Sequence, residues 1–139
     1  MTTTTLPDAG PRSTPRGMAW GGWALSGLVI LFMAMDAGMK LADLAPVRQA
    51  AAAIGWPVTL DRPLGVIGLI GLVLYAVPRT SVLGAIYLTG LFGGAVAAHL
   101  RLSDPLLSHV LFGVYLAVLM WAGLWLREPR LRELLPLRR

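Results

Sequence analysis

Two histidines, His99 and His109, flank a short polar link that runs from Arg101 to Asp104. Imidazole changes charge near neutral pH, so two of them close together can relay a proton, contact a quinone head group or bind a metal. Each also has a plain structural explanation, since a single histidine is commonly a hydrogen-bonded core residue. A metal centre is not expected, because only two histidines exist, there is no cysteine and no glutamate lies near them. Asp36 and Lys40 stand one helical turn apart in the favourable acid-first order, a spacing that neutralises both charges within one helix. Arg62 and Arg101 suit anchors at a membrane interface, and Asp104, just before Pro105, suits a helix N-cap. The candidate polar cluster is therefore Asp36, Lys40, His99, Arg101 and His109. No nucleophile elbow, metalloprotease motif or phosphate loop accompanies it. The chain is not expected to be an enzyme on its own.

The elements that must position this cluster are long apolar helices. Apolar types make up 56% of the 139 residues and charged types only 14%. A soluble domain carries about 25% charged residues. The surplus apolar surface must face lipid. Long apolar runs predict spanning helices over 18–40, 63–78, 80–100 and 105–127. The second run is the shortest, and Arg62 and Arg79 at its ends would snorkel to extend it. No run alternates with period two, which argues against a β-barrel. The segment 46–54 has Pro46 at its start and apolar residues at helical spacing. Gly55, Trp56 and Pro57 follow it. A short amphipathic helix at the membrane surface is expected there. The links 78–80 and 101–104 are too short for anything but antiparallel neighbours. The expected fold is all-α: a membrane four-helix up-down bundle, spanning 18–128, with a short amphipathic helix between helices one and two. Residues 1–17 read as a disordered tail and 129–139 as a basic tail.

Eight cations fall on one side of such a bundle: Arg12, Arg16, Arg79, Arg127, Arg130, Arg132, Arg138 and Arg139. Four fall on the other: Lys40, Arg48, Arg62 and Arg101. Positive charge marks the cytoplasmic side, so both termini are expected inside, in a bacterial plasma membrane. The net charge of +5 is thus a topology signal and not a nucleic-acid signal. On the outer side the topology gathers Asp36, Lys40, Asp61, Arg62, His99, Arg101, Asp104 and His109 in one layer. Asp36, Lys40, His99 and Arg101 are expected to meet there. Gly90, Gly94 and Ala98, with Gly93 and Ala97 beside them, predict close packing of helix three inside the bundle. A homodimer seam would use the same spacing. Tyr75 and Tyr87 are expected towards the inner interface, and Tyr115 deeper, hydrogen-bonded across the bundle.

The order and spacing of several motifs resemble the DoxX-like family of small four-helix membrane proteins. They are Asp36-x-x-x-Lys40, Gly55-Trp56-Pro57, Arg62-Pro63-Leu64-Gly65, Pro78-Arg79-Thr80 and Gly90-Leu91-Phe92-Gly93-Gly94-Ala95, then His99, Arg101 and the run from Trp121 to Arg127. The resemblance covers roughly 18–136. It implies a role as a subunit of a membrane oxidoreductase assembly, of the kind in which some relatives serve a thiosulfate:quinone oxidoreductase. It equally implies an accessory or assembly role, as in a distant receptor-assembly chaperone. The partners expected are the lipid bilayer and other membrane proteins, or a homo-oligomer. No cofactor is predicted, although a quinone would suit the histidines. The absence of cysteine argues against direct sulfur chemistry here. A small-solute transporter is the weaker alternative, since four short helices enclose little volume unless they oligomerise.

Overall fold

The computed structural model describes residues 15–134. Of the expected tails, residues 1–14 and 135–139 lie outside the described residues. Among the described residues six α-helices follow one another: α1 (Arg16–Leu41), α2 (Ala45–Ala53), α3 (Asp61–Ala76), α4 (Ser81–Arg101), α5 (Phe112–Arg127) and α6 (Pro129–Leu134). A 3₁₀ turn, Val58–Leu60, precedes α3, and a π-helical turn, Leu106–Val110, leads into α5. No strand occurs among the described residues. Three apolar segments are long enough to cross a membrane: Arg16–Leu41, Ser81–Arg101 and Leu106–Arg127. With 16 residues, α3 is shorter. At 1.5 Å per residue it measures about 24 Å.

Proline and left-handed residues set the boundaries. Pro78 forces Val77 to an extended conformation (ψ 119°) and ends α3. Pro129 opens α6, which folds where a plain tail was expected and buries Leu131. The helices α1, α2 and α4 all end in the same hydrogen-bonded motif. The backbone N–H groups of Leu44, Trp56 and Asp104 donate to the carbonyls of Met39, Ala51 and His99, five residues back. The residue before each donor is left-handed: Asp43 (φ 54°), Gly55 (φ 66°) and Ser103 (φ 57°). Glycine adopts that conformation without cost. Asp43 and Ser103 are held in it by the motif.

The four long helices pack in a closed ring. α1 lies against α3 and α5, and α4 lies against the same two. At three of the four seams a glycine near the start of one helix meets the end of its neighbour. Gly22 faces Gly123 and Arg127, Gly65 faces Ala37 to Leu41, and Gly84 faces Leu74 and Tyr75. The centre is filled by Val29, Met33, Leu88, Met120 and Leu124. Tyr75 is 0% exposed, and its hydroxyl donates to the Met120 carbonyl (3.0 Å) and shares a hydrogen bond with Ser26 Oγ (2.9 Å). One phenol thereby ties three helices together. The outside is apolar: Leu28, Leu31, Leu83, Ile86 and Val118 are exposed. That inversion of the usual surface suits lipid, not water.

Two expectations are corrected here. Gly90, Gly93 and Gly94 face outward, and a Cβ added at any of them meets no atom within 4 Å. The close-approach glycines of α4 and its neighbours are Gly84, Gly71 and Gly113 instead. The tyrosines also exchange roles: Tyr75 is the cross-bundle hydrogen-bonder, while Tyr115 is 45% exposed. Both reversals have one cause. Residue spacing defines a helix stripe, but the rotation of the helix about its axis is set by its neighbours.

Candidate functional site

The last turn of α4 carries His99. Its carbonyl accepts the Asp104 N–H (3.2 Å), and this backbone closure folds the acid back over the imidazole. Asp104 Oδ2 then lies 2.6 Å from His99 Nδ1. The expected N-cap role of Asp104 is not what forms, because its carboxylate is engaged by His99 and no side chain caps the turn after Pro105. The π-helical turn begins at once: Val110 and Leu111 donate to the carbonyls of Pro105 and Leu106. The wider turn presents His109 to His99, with ring centroids 5.9 Å apart and planes at 61°. His109 Nδ1 is within 2.8 Å of Ser108 Oγ.

This geometry has a chemical consequence. A carboxylate only accepts hydrogen bonds, so Nδ1 of His99 carries the proton. Nε2 is left as the working atom. It accepts a hydrogen bond when the ring is neutral and donates one when the ring is protonated. The imidazole and the carboxylate are both about three-quarters buried within the chain, each side chain being 28% exposed.

The other cluster candidates are paired elsewhere. Lys40 is bonded to Asp36 on the same face of α1. Arg101 Nη2 donates to the Ile54 carbonyl (3.2 Å) and so ties the end of α4 to the end of α2. Among the described residues, no hydrogen bond or ion pair links Asp36–Lys40 to His99 or Arg101. α1 and α4 sit across the ring from one another, which separates the two groups. Around them, Asp43 lies 3.8 Å from both Arg48 and Arg62. Asp61 is 2% exposed, and its Oδ2 has no hydrogen-bond partner among the described residues; Trp56 Nε1 is likewise buried and without a partner among them. A His-x₄-Asp-Pro pattern is the one sequence signal that would have found the His99–Asp104 pair. Nothing local marks Asp61 as the most buried acid.

The opposite end is also ordered. Arg127, expected to lead into a tail, stacks its guanidinium over Trp23 (4.4 Å) and Tyr75 (5.1 Å) and donates Nη2 to the Tyr75 carbonyl (3.3 Å). Arg132 Nη1 contacts Met18 Sδ (2.9 Å), and Trp121 Nε1 donates to Thr89 Oγ1 (2.9 Å). No group of three or more metal-ligating side chains occurs among the described residues.

Among protein-family models, the one described as the DoxX-like family matches residues 24–123, which is most of the chain and takes in His99 and Asp104. No curated protein and no solved structure matches.

Proposed function

This chain belongs to the DoxX-like family, and from that premise we propose that it is an accessory or assembly subunit of a membrane protein complex. It crosses the bilayer four times as an up-down bundle. α3 makes the short crossing, its ends extended by Arg62 and Arg79. Both termini are cytoplasmic, because Arg16, Arg79, Arg127, Arg130 and Arg132 share one end. The chain has no cysteine, so single labels report this directly. An impermeant maleimide on intact bacterial cells should label Gln49→Cys and spare Arg79→Cys. The reverse pattern would invert the orientation.

The observation that carries the accessory role is the filled centre. Val29, Tyr75, Leu88 and Met120 are 0% exposed and occupy the axis of the ring, where a substrate would otherwise sit. What the chain offers is its outer surface, including the open small-residue face of α4 at Gly90, Gly93 and Gly94. A photo-crosslinking residue at Gly94 should capture a second, stoichiometric membrane protein after gentle extraction, and the same residue at Leu107 serves as the comparison. Capture of lipid alone at both positions would end the accessory reading.

A second reading is favoured by the Asp104–His99 pair: a quinone subunit in which Nε2 of His99 accepts from a quinol hydroxyl or donates to a quinone carbonyl. The same preparation separates the two. An azido-quinone should label the α4–α5 link, and Asp104→Asn should weaken labelling about 10-fold or more, the scale of one hydrogen bond to a charged group. Labelling indifferent to both His99→Ala and Asp104→Asn would exclude this reading.

A further inference from the structure

The end of the ring opposite the histidines carries a groove of about 430 Å³ between the start of α4 and α6. Two cations, Arg79 and Arg130, line it, and neither side chain has an ion-pair partner among the described residues. Val82 and Leu134 supply apolar walls. The single acid on the groove, Glu128, accepts the Arg130 backbone N–H (3.4 Å), which turns its carboxylate towards the first turn of α6. The first turn of α4 opens on the same groove, through Ser81 and Val82, with no side-chain cap. Thr80, the residue placed to cap it, donates its hydroxyl back to the Leu74 carbonyl (2.8 Å), and Ser81 donates to the Pro78 carbonyl (3.1 Å). The first turn of α4 is therefore left without a side-chain cap beside the two arginines that line the groove.

We propose that this groove binds the phosphodiester of an anionic phospholipid, with Arg79 and Arg130 on the phosphate and the acyl chains running out along Val82 and Leu134. Guanidinium groups and free helix N–H groups are the donors that phosphate oxygens take. Apolar walls beside a cationic floor fit a molecule that is itself half anion and half hydrocarbon, which free phosphate and an acidic peptide are not. Trp20 and Trp23, at the start of α1, mark headgroup depth at this end of the ring. Glu128 sets the selectivity: a zwitterionic lipid brings no net charge to offset it, while an anionic one needs both arginines. The proposal rests on the bilayer reading above for the depth of the groove, and on neither functional role.

The test uses the full chain in nanodiscs of phosphatidylcholine with one-fifth phosphatidylglycerol, with the retained lipid identified by native mass spectrometry after release into detergent. Wild-type chain should keep phosphatidylglycerol over phosphatidylcholine. Arg79→Ala with Arg130→Ala should reduce that retention at least fivefold. Arg48→Ala with Arg62→Ala, an equal charge loss at the other end, should leave it unchanged. Glu128→Gln should increase retention, and a gain cannot be produced by misfolding. Equal retention by the Arg79/Arg130 double variant, or no preference between the two lipids, overturns the proposal. Displacement of the lipid by millimolar inorganic phosphate would mark a free-phosphate site and overturn it too, as would a dimer whose formation depends on Arg79 and Arg130. Carbonate extraction reads bilayer insertion separately, so a chain that inserts but shows no lipid preference fails on the groove alone.

Discussion

Gly84→Ala will keep α3 and α4 from closing. A Cβ at Gly84 would stand 2.2 Å from Tyr75 N and 2.5 Å from Tyr75 Cα. Both are backbone atoms, so no rotamer change relieves the clash, and the helices must separate along the seam. Inserting a methyl group into a packed core costs about 1–3 kcal/mol when side chains can shift. A clash with backbone belongs at or above the top of that range. The expected result is a fall of several degrees or more in the detergent melting temperature, with loss of the Tyr75 contacts. Gly94→Leu, a far larger change ten residues along the same helix, should melt with wild type because its side chain enters open space. Identical melting of Gly84→Ala and wild type would show that the α3–α4 seam is looser than described. A destabilised Gly94→Leu would return the outward stripe to the bundle interior.

Removing the Tyr75 ring should be the most damaging side-chain truncation. Tyr75 is fully buried and bonded to Ser26 and to the Met120 carbonyl, and its ring supports the Arg127 guanidinium. Tyr75→Ala leaves a cavity at the meeting point of α1, α3 and α5, and large aromatic truncations of this kind cost about 3–5 kcal/mol. Tyr75→Phe keeps the packing and strands the buried Ser26 hydroxyl, for a smaller loss of about 1–3 kcal/mol. Combining Tyr75→Phe with Ser26→Ala should recover part of that loss, because the orphaned group is removed as well. Chemical denaturation of wild type, Tyr75→Ala, Tyr75→Phe, Ser26→Ala and the double variant measures all of this. Strictly additive single-variant effects would show that the hydroxyl pair contributes nothing as a pair.

The candidate site divides along a physical line. Asp36–Lys40 was legible because an i, i+4 pair on a helix is a local fact, independent of every other element. His99 and His109 were legible as residues that should lie close together, because the short link between their helices leaves them little room to part. The partner of His99 was not. Asp104 before proline is a sound N-cap signal, and it is outcompeted by a helix ending that no glycine announces. Ser103 adopts φ 57° because the closure of Asp104 N–H onto His99 C=O holds it there. The larger four-residue meeting was expected from depth alone. Depth ranks residues along the bundle axis but says nothing of which helices adjoin, and α1 and α4 do not.

The sequence by itself determined the all-α class, the apolar segments and their approximate ends, the short α2 helix before Gly55, and the family. These follow from composition, run length and proline or glycine punctuation, which act within a few residues. Only the tertiary structure decided which face of each helix turns inward. Gly84 and Gly94 read alike as small residues on one helix, yet one touches the α3 backbone and the other touches nothing. Tyr75 and Tyr115 read alike as tyrosines in apolar runs, yet one is the hub and the other lies on the surface. In a soluble helix the apolar stripe announces its inward face. A helix apolar on every side carries no such stripe, so its rotation is left to close packing between neighbours, which no single segment encodes.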